Sequence, residues 1–142
     1  MTVLDAYAVL AFLRGEPCAQ DVAALLRRPT ALTAANAAEV LDQLVRFFRR
    51  DADDVHADLA LLAESGMKIT PISGDLGLLA GRLRARHYHR DRCAVSLADC
   101  LAAAEALTRR KPLATSDPAL AALLRAEGGT MHALADSRGR KP

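Results

Sequence analysis

Four acidic residues, Asp5, Glu39, Asp99 and Asp117, stand far apart in a chain of 142 residues, and each has largely apolar surroundings. Asp5 closes the run Thr2-Val3-Leu4, and Glu39 lies within Asn36-Ala37-Ala38-Glu39-Val40-Leu41. Asp99 sits inside Val95-Ser96-Leu97-Ala98-Asp99-Cys100-Leu101-Ala102, a context that reads as buried, and Asp117 follows Leu113-Ala114-Thr115-Ser116. Burying a carboxylate is costly unless a cation or hydrogen bonds compensate it. No lysine or arginine flanks Asp5, Glu39 or Asp99 closely, so a metal ion is the simpler compensation. Hard oxygen donors without histidine or thiolate favour Mg²⁺ or Mn²⁺ over zinc. Acids holding such ions can activate a water and neutralise charge on a phosphodiester in an in-line displacement. Thr115 and Ser116 add hydroxyls that could orient a carboxylate, a water or a phosphate oxygen. Strand-end hydrogen bonding accounts for them equally well.

Each acid also has an ordinary reading. Asp5 and Asp117 are favoured helix N-caps, and Pro118 fits the first helical position after Asp117. Ser96 and Asp99 have capping-box spacing. Glu39 falls on a narrow polar stripe with Asn36, Gln43, Arg46 and Arg50, as a solvated helix residue would. A shared metal site becomes the better account when the four are taken together, at strand ends and in apolar settings.

The elements that must position them follow from periodicity and breakers. Strands are expected at Thr2 to Asp5, Thr30 to Thr33, Lys68 to Ile72, Pro112 to Ser116 and Thr130 to Leu134. Pro71 favours an edge position for the third. Helices are expected at Ala6 to Leu13, Ala19 to Arg27, Ala34 to Arg50, Asp53 to Glu64, Ser73 to about Arg86, Ser96 to Arg109 and Asp117 to about Arg125. Strands alternating with helices predict an α/β fold with a parallel sheet covered on both faces. Ligands in such folds bind beyond the carboxyl ends of the strands.

The remaining composition bounds the function. Residues 1–135 form one domain by size, and 136–142 read as a basic, flexible tail. The apolar fraction of 51% is ample for a core, and a net charge of +2 gives no overall basic field. Basic residues nevertheless crowd Arg82 to Arg92, where they form a solvated face or contact phosphates. Three cysteines, Cys18, Cys93 and Cys100, have no framework spacing and suit free thiols in a cytoplasmic protein. No signal peptide or membrane span is expected. The segments Ala6 to Leu13 and Val55 to Ala63 look oily enough to leave some surface for a partner helix.

In order and spacing, Val3-Leu4-Asp5-Ala6, Asn36-Ala37-Ala38-Glu39-Val40, Leu97-Ala98-Asp99-Cys100-Leu101-Ala102-Ala103-Ala104 and Leu113-Ala114-Thr115-Ser116-Asp117 resemble the motifs of PIN-domain ribonucleases. They resemble more narrowly the VapC-type toxins of bacterial toxin–antitoxin pairs. The resemblance implies a three-layer α/β/α fold with a central, mostly parallel sheet and a Mg²⁺- or Mn²⁺-dependent cut in RNA, often a transfer or ribosomal RNA. It implies an acidic pocket of Asp5, Glu39, Asp99 and Asp117, with Thr115 supporting Asp117. It further implies a homodimer and a cognate antitoxin that blocks the site. Two positions depart from the pattern. Tyr7 stands where many members carry a small hydroxyl residue, and Pro118-Ala119 stands where others carry acidic or aromatic residues. The second leaves Asp117 as a weaker ligand, or one reached through water.

Other readings compete with this one. A haloacid-dehalogenase-like phosphatase needs a second aspartate two residues after the first, where Tyr7 stands. A zinc site from His87, His89, Cys93 and Cys100 matches no standard module and sits among basic residues. A catalytically inactive PIN-like scaffold, binding a protein partner or RNA, is the alternative that retains the fold.

Overall fold

The computed structural model describes all 142 residues. The elements, in chain order, are β1 (Thr2–Leu4), α1 (Ala6–Arg14), α2 (Ala19–Leu26), β2 (Thr30–Thr33), α3 (Ala34–Arg46) and α4 (Ala52–Glu64). They continue with β3 (Met67–Thr70), α5 (Gly74–His87), α6 (Leu97–Arg109), β4 (Leu113–Thr115), α7 (Pro118–Ala126) and β5 (Met131–Ala133). The strands form one sheet in the order β3-β2-β1-β4-β5. Every neighbouring pair is parallel, with Val3 opposite Ala31 on one side and Leu113 on the other.

Side chains alternate across a strand, so a buried strand feeds two cores. Val3 and Leu113 point into a core built with α5, α6 and α7, whereas Leu4 and Ala114 point into one built with α1 to α4. This is the expected three-layer arrangement. Small side chains permit close packing in the second layer, where Ala102, Ala103, Ala104 and Ala106 of α6 are all buried. No helix is long and apolar enough to cross a membrane.

Two boundaries depart from the sequence expectation for a clear local reason. α3 stops at Arg46 rather than Arg50. There the chain turns through Arg49 in the left-handed region (φ 57°), and the Arg50 N–H reaches back to the Leu44 carbonyl at 3.1 Å. Arg50 consequently leaves the polar stripe and pairs with Asp58 of α4 at 2.8 Å. β3 does lie at a sheet edge, but it ends at Thr70, before Pro71. The apolar face of α1 is not a free surface. Ala6, Ala8, Val9, Leu10 and Ala11 are buried in the first core, and on α4 only Leu61 is left prominently exposed.

Residues 136–140 form a hydrogen-bonded turn. The Asp136 Oδ1 accepts from the backbone N–H of both Arg138 and Arg140 at 2.8 Å, and the Asp136 N–H donates to the Arg140 carbonyl at 2.7 Å.

Candidate active site

The sheet changes direction at β1. From there the chain builds outward through β2 and β3, then returns to add β4 and β5 on the other side. In folds of this kind ligands bind at such a switch point, beyond the carboxyl ends of the strands, here β1 and β4. Asp5 and Asp117 stand at those two ends. Each caps the helix that follows: Asp5 Oδ1 accepts from the Ala8 N–H at 2.7 Å, and Asp117 Oδ1 from the Ala119 N–H at 2.7 Å. Asp99 enters from the first turn of α6, where its Oδ2 accepts from the Ser96 N–H at 2.7 Å in a full capping box. The capping and functional readings of these acids are therefore compatible. A cap engages one carboxylate oxygen and leaves the other for a ligand.

Glu39 comes from α3. Its Oε1 accepts from Gln43 Nε2 at 3.0 Å, while its Oε2 is buried with no hydrogen-bond partner. An orphaned buried carboxylate oxygen is uncommon and costly, and it points to a missing donor or cation. Glu39 is half-buried rather than solvated. Asp99 is also half-buried, less enclosed than its apolar neighbours suggest, because it lies at the open start of α6 and Leu97 beside it is exposed.

One residue that the sequence placed only on a polar stripe has a larger role. Asn36 is fully buried. Its Oδ1 accepts from the Thr33 hydroxyl at 2.5 Å, and its Nδ2 donates to the Ala98 carbonyl at 3.3 Å. It thus ties the start of α3, which carries Glu39, to the residue preceding Asp99. The signal in the sequence was a polar side chain within an apolar stretch, but its partner lies 62 positions away and no periodicity reveals it. Replacing Asn36 by alanine removes the tie to the Ala98 carbonyl and leaves the buried Thr33 O–H without its acceptor, at about 1–3 kcal/mol for the unsatisfied donor. The melting temperature should fall by several degrees in thermal denaturation, more than for alanine at exposed Gln43.

The electrostatics favour protonated or cation-bound acids. Asp5 is 3% exposed. Its pKa is raised to about 7, first by burial and then by the charges of Asp99 and Asp117, against hydrogen bonds from Thr115 and the Ala8 N–H. Burial also raises Asp99, aided by Asp117, and raises Glu39, aided by Asp99. None of the protein's ion pairs involves any of the four acids. Thr115 is fully buried and joins the two strand-end acids. Its hydroxyl accepts from the Asp117 N–H at 3.0 Å, and its proximity to the Asp5 carboxyl holds that pKa below what burial alone would give. Ser116 makes no comparable side-chain bond. The four acids supply metal-ligand chemistry, yet no three of them converge as a ready-made cage.

The basic stretch is only partly free. Arg84 donates to the Val95 carbonyl at 3.0 Å and stacks over Tyr88, while Arg86 and His87 both bind Glu127 of the α7 C-terminus. Arg82, Arg90 and Arg92 remain exposed and unpaired.

The model of one family, the PIN domain, matches residues 2–124. The chain belongs to the PIN-domain family. No curated protein gives a significant match. Among solved structures, this PIN domain is similar to the sarcin-ricin loop cleaving toxin VapC20 of Mycobacterium tuberculosis (17% identity, TM-score 0.69, covering 86% of this chain and 94% of that one). It is also similar to VapBC2 from Rickettsia felis bound to a promoter DNA fragment (16%, TM-score 0.66, 92% and 96%). A third is FitAcB from Neisseria gonorrhoeae (21%, TM-score 0.65, 92% and 96%). At these identities the likeness is one of fold.

Proposed function

We propose that this PIN domain is a divalent-metal-dependent endoribonuclease, the toxin of a toxin–antitoxin pair, that cuts RNA at Asp5, Glu39, Asp99 and Asp117. The observation that carries the reading is the buried Asp5 carboxyl at the switch point of the sheet. It is surrounded by acids, with no lysine, arginine or histidine to neutralise it. A scaffold has no use for so unfavourable an arrangement.

The donor set fits Mg²⁺ or Mn²⁺. All four ligands offer hard oxygens, and Glu39 Oε2 is a buried acceptor lacking a partner. Mg²⁺ commonly keeps several waters and takes only one or two carboxylates, so the absence of a closed three-acid cage does not conflict with it. Bound there, the ion would stabilise negative charge on a phosphodiester and lower the pKa of a water. Asp5 and Asp99 are the principal holding residues, with Glu39 beside Asp99. Thr115 holds the Asp117 backbone through its hydroxyl, and Asp117 would serve as the weaker of the ligands. The exposed Arg82, Arg90 and Arg92 add salt-sensitive attraction for the RNA backbone. The toxin–antitoxin solved structures support an antitoxin as protein partner; a homodimer and a transfer or ribosomal RNA substrate belong to the same proposal.

The test is to sequence RNA ends after expressing the wild type beside Asp99→Asn. New ends should appear only with the wild type, and purified Asp99→Asn should cleave at least about 100-fold more slowly, the order expected when one charge-stabilising group is removed. Identical end profiles would leave the inactive binding scaffold as the surviving account.

A further inference from the structure

β5 runs parallel to β4 with Ala133 opposite Thr115, and the Leu134 N–H binds the Thr115 carbonyl at 2.9 Å. The chain leaving β5 therefore emerges at the same end of the sheet as Asp5 and Asp117. Asp136 then fastens the turn described above. Its Oδ2 also takes the Arg140 guanidinium, from Nε at 3.0 Å and Nη2 at 2.9 Å. This engages one edge of a five-donor fork and leaves Nη1 free. Lys141 has no ion-pair partner. The turn encloses a hollow of about 250 Å³ against the neighbours of Asp117, lined by Ser116, Pro118, Asp136, Arg140 and Lys141. Tyr7 lies within electrostatic reach of both this turn and Asp5. Its hydroxyl is buried without a partner and feels the charges of both Asp136 and Asp5.

We propose that the turn Asp136–Lys141 completes an anion subsite beside Asp117 that holds a phosphate of the RNA strand next to the one being cut. The inference rests on the ribonuclease reading and adds where the strand leaves the acidic pocket. An oriented guanidinium, an unpaired ammonium and a hydroxyl suit a phosphate, and no large aliphatic or aromatic side chain lines the hollow to receive a base or an apolar ligand. Asp136 offsets part of the positive charge but fixes Arg140 in place, so the subsite works by position more than by net charge.

The test measures binding of a short single-stranded RNA in an Asp99→Asn background, where the strand stays intact, across a range of salt. Replacing Arg140 and Lys141 together by alanine should weaken binding about tenfold and lower the slope of log affinity against log salt by about 0.7, the value for one single-strand phosphate contact. Asp136→Ala is the sharper variant. It removes a negative charge, so undirected attraction would tighten RNA binding, whereas loss of the turn should weaken it. Tighter binding by Asp136→Ala overturns the subsite. So does an unchanged affinity and slope in the double variant, which would assign the tail to another anionic partner and leave the ribonuclease reading intact. A wild type that cuts no RNA, with an Asp99→Asn parent that binds none, overturns both.

Discussion

Replacing Asp5 by asparagine is expected to stabilise the metal-free protein above neutral pH while abolishing cleavage. Asparagine is nearly isosteric and also a favoured N-cap, so the bond from the Ala8 N–H is kept. What disappears is a buried charge. The Asp5 pKa is about 7 in the folded protein, against 3.8 when unperturbed. Between those values the folded state holds a proton that the unfolded chain has released, so stability falls as pH rises across that window. The advantage of the neutral carboxyl is whole below about pH 4 and lost above about pH 7. Discounted for relaxation, the full charge costs on the order of 2 kcal/mol. For a chain of this size that corresponds to a melting temperature about 5 °C higher for Asp5→Asn at pH 8 in chelator, with little difference at pH 4. A variant no more stable than wild type at pH 8 would contradict the burial argument. Greater stability with lost activity is the pattern of a residue retained for chemistry.

The sheet and its layers were legible because local signals agreed. Thr2-Val3-Leu4 is apolar and ends in a cap. Gly15 and Pro17 separate α1 from α2, and Pro118 opens α7. The misplaced boundaries lie where tertiary partners act. Nothing in Arg46 to Arg50 announces a helix end, because the stop depends on a left-handed arginine and an ion pair to α4. The basic run from Arg82 to Arg92 reads in sequence as a solvated face or a phosphate contact, and neither reading foresees the internal pairing of Arg86 and His87, for the same reason. Glu127, which takes up Arg86 and His87, lies some forty residues on.

The acids were legible as residue types, their surroundings less so. Apolar flanks correctly marked Asp5 as buried, because a strand end in a central position is enclosed by its neighbours on both sides. The same flanks overstated the burial of Asp99, since the first turn of a helix faces outward whatever residues follow. Asn36 was invisible as a tie between α3 and α6. A side chain that bonds across 62 positions leaves no spacing to read, and only the stacked helices bring it to Ala98.

Mn²⁺ is expected to raise the melting temperature of the wild type, and by more at pH 8 than at pH 6. The candidate ligands come from four separate segments, so an unfolded chain cannot assemble them and binding acts as folding energy. At a hundredfold excess over the dissociation constant the gain is about 2.7 kcal/mol. Protons compete for the same oxygens. Asp5 gives up its proton near pH 7, and Glu39 and Asp99 are also held above the usual carboxylate range. Lowering the pH through 7 fills the Asp5 oxygens with a proton before the metal can take them, so the metal-induced shift should shrink towards pH 6. Asp99→Asn should lose most of the shift at pH 8, whereas Asp53→Asn, an exposed acid on α4, should keep it. Equal melting temperatures with and without Mn²⁺ at both pH values would remove the metal from the account. A shift that ignores pH would place the ion away from Asp5, because binding there must displace a proton held up to about pH 7.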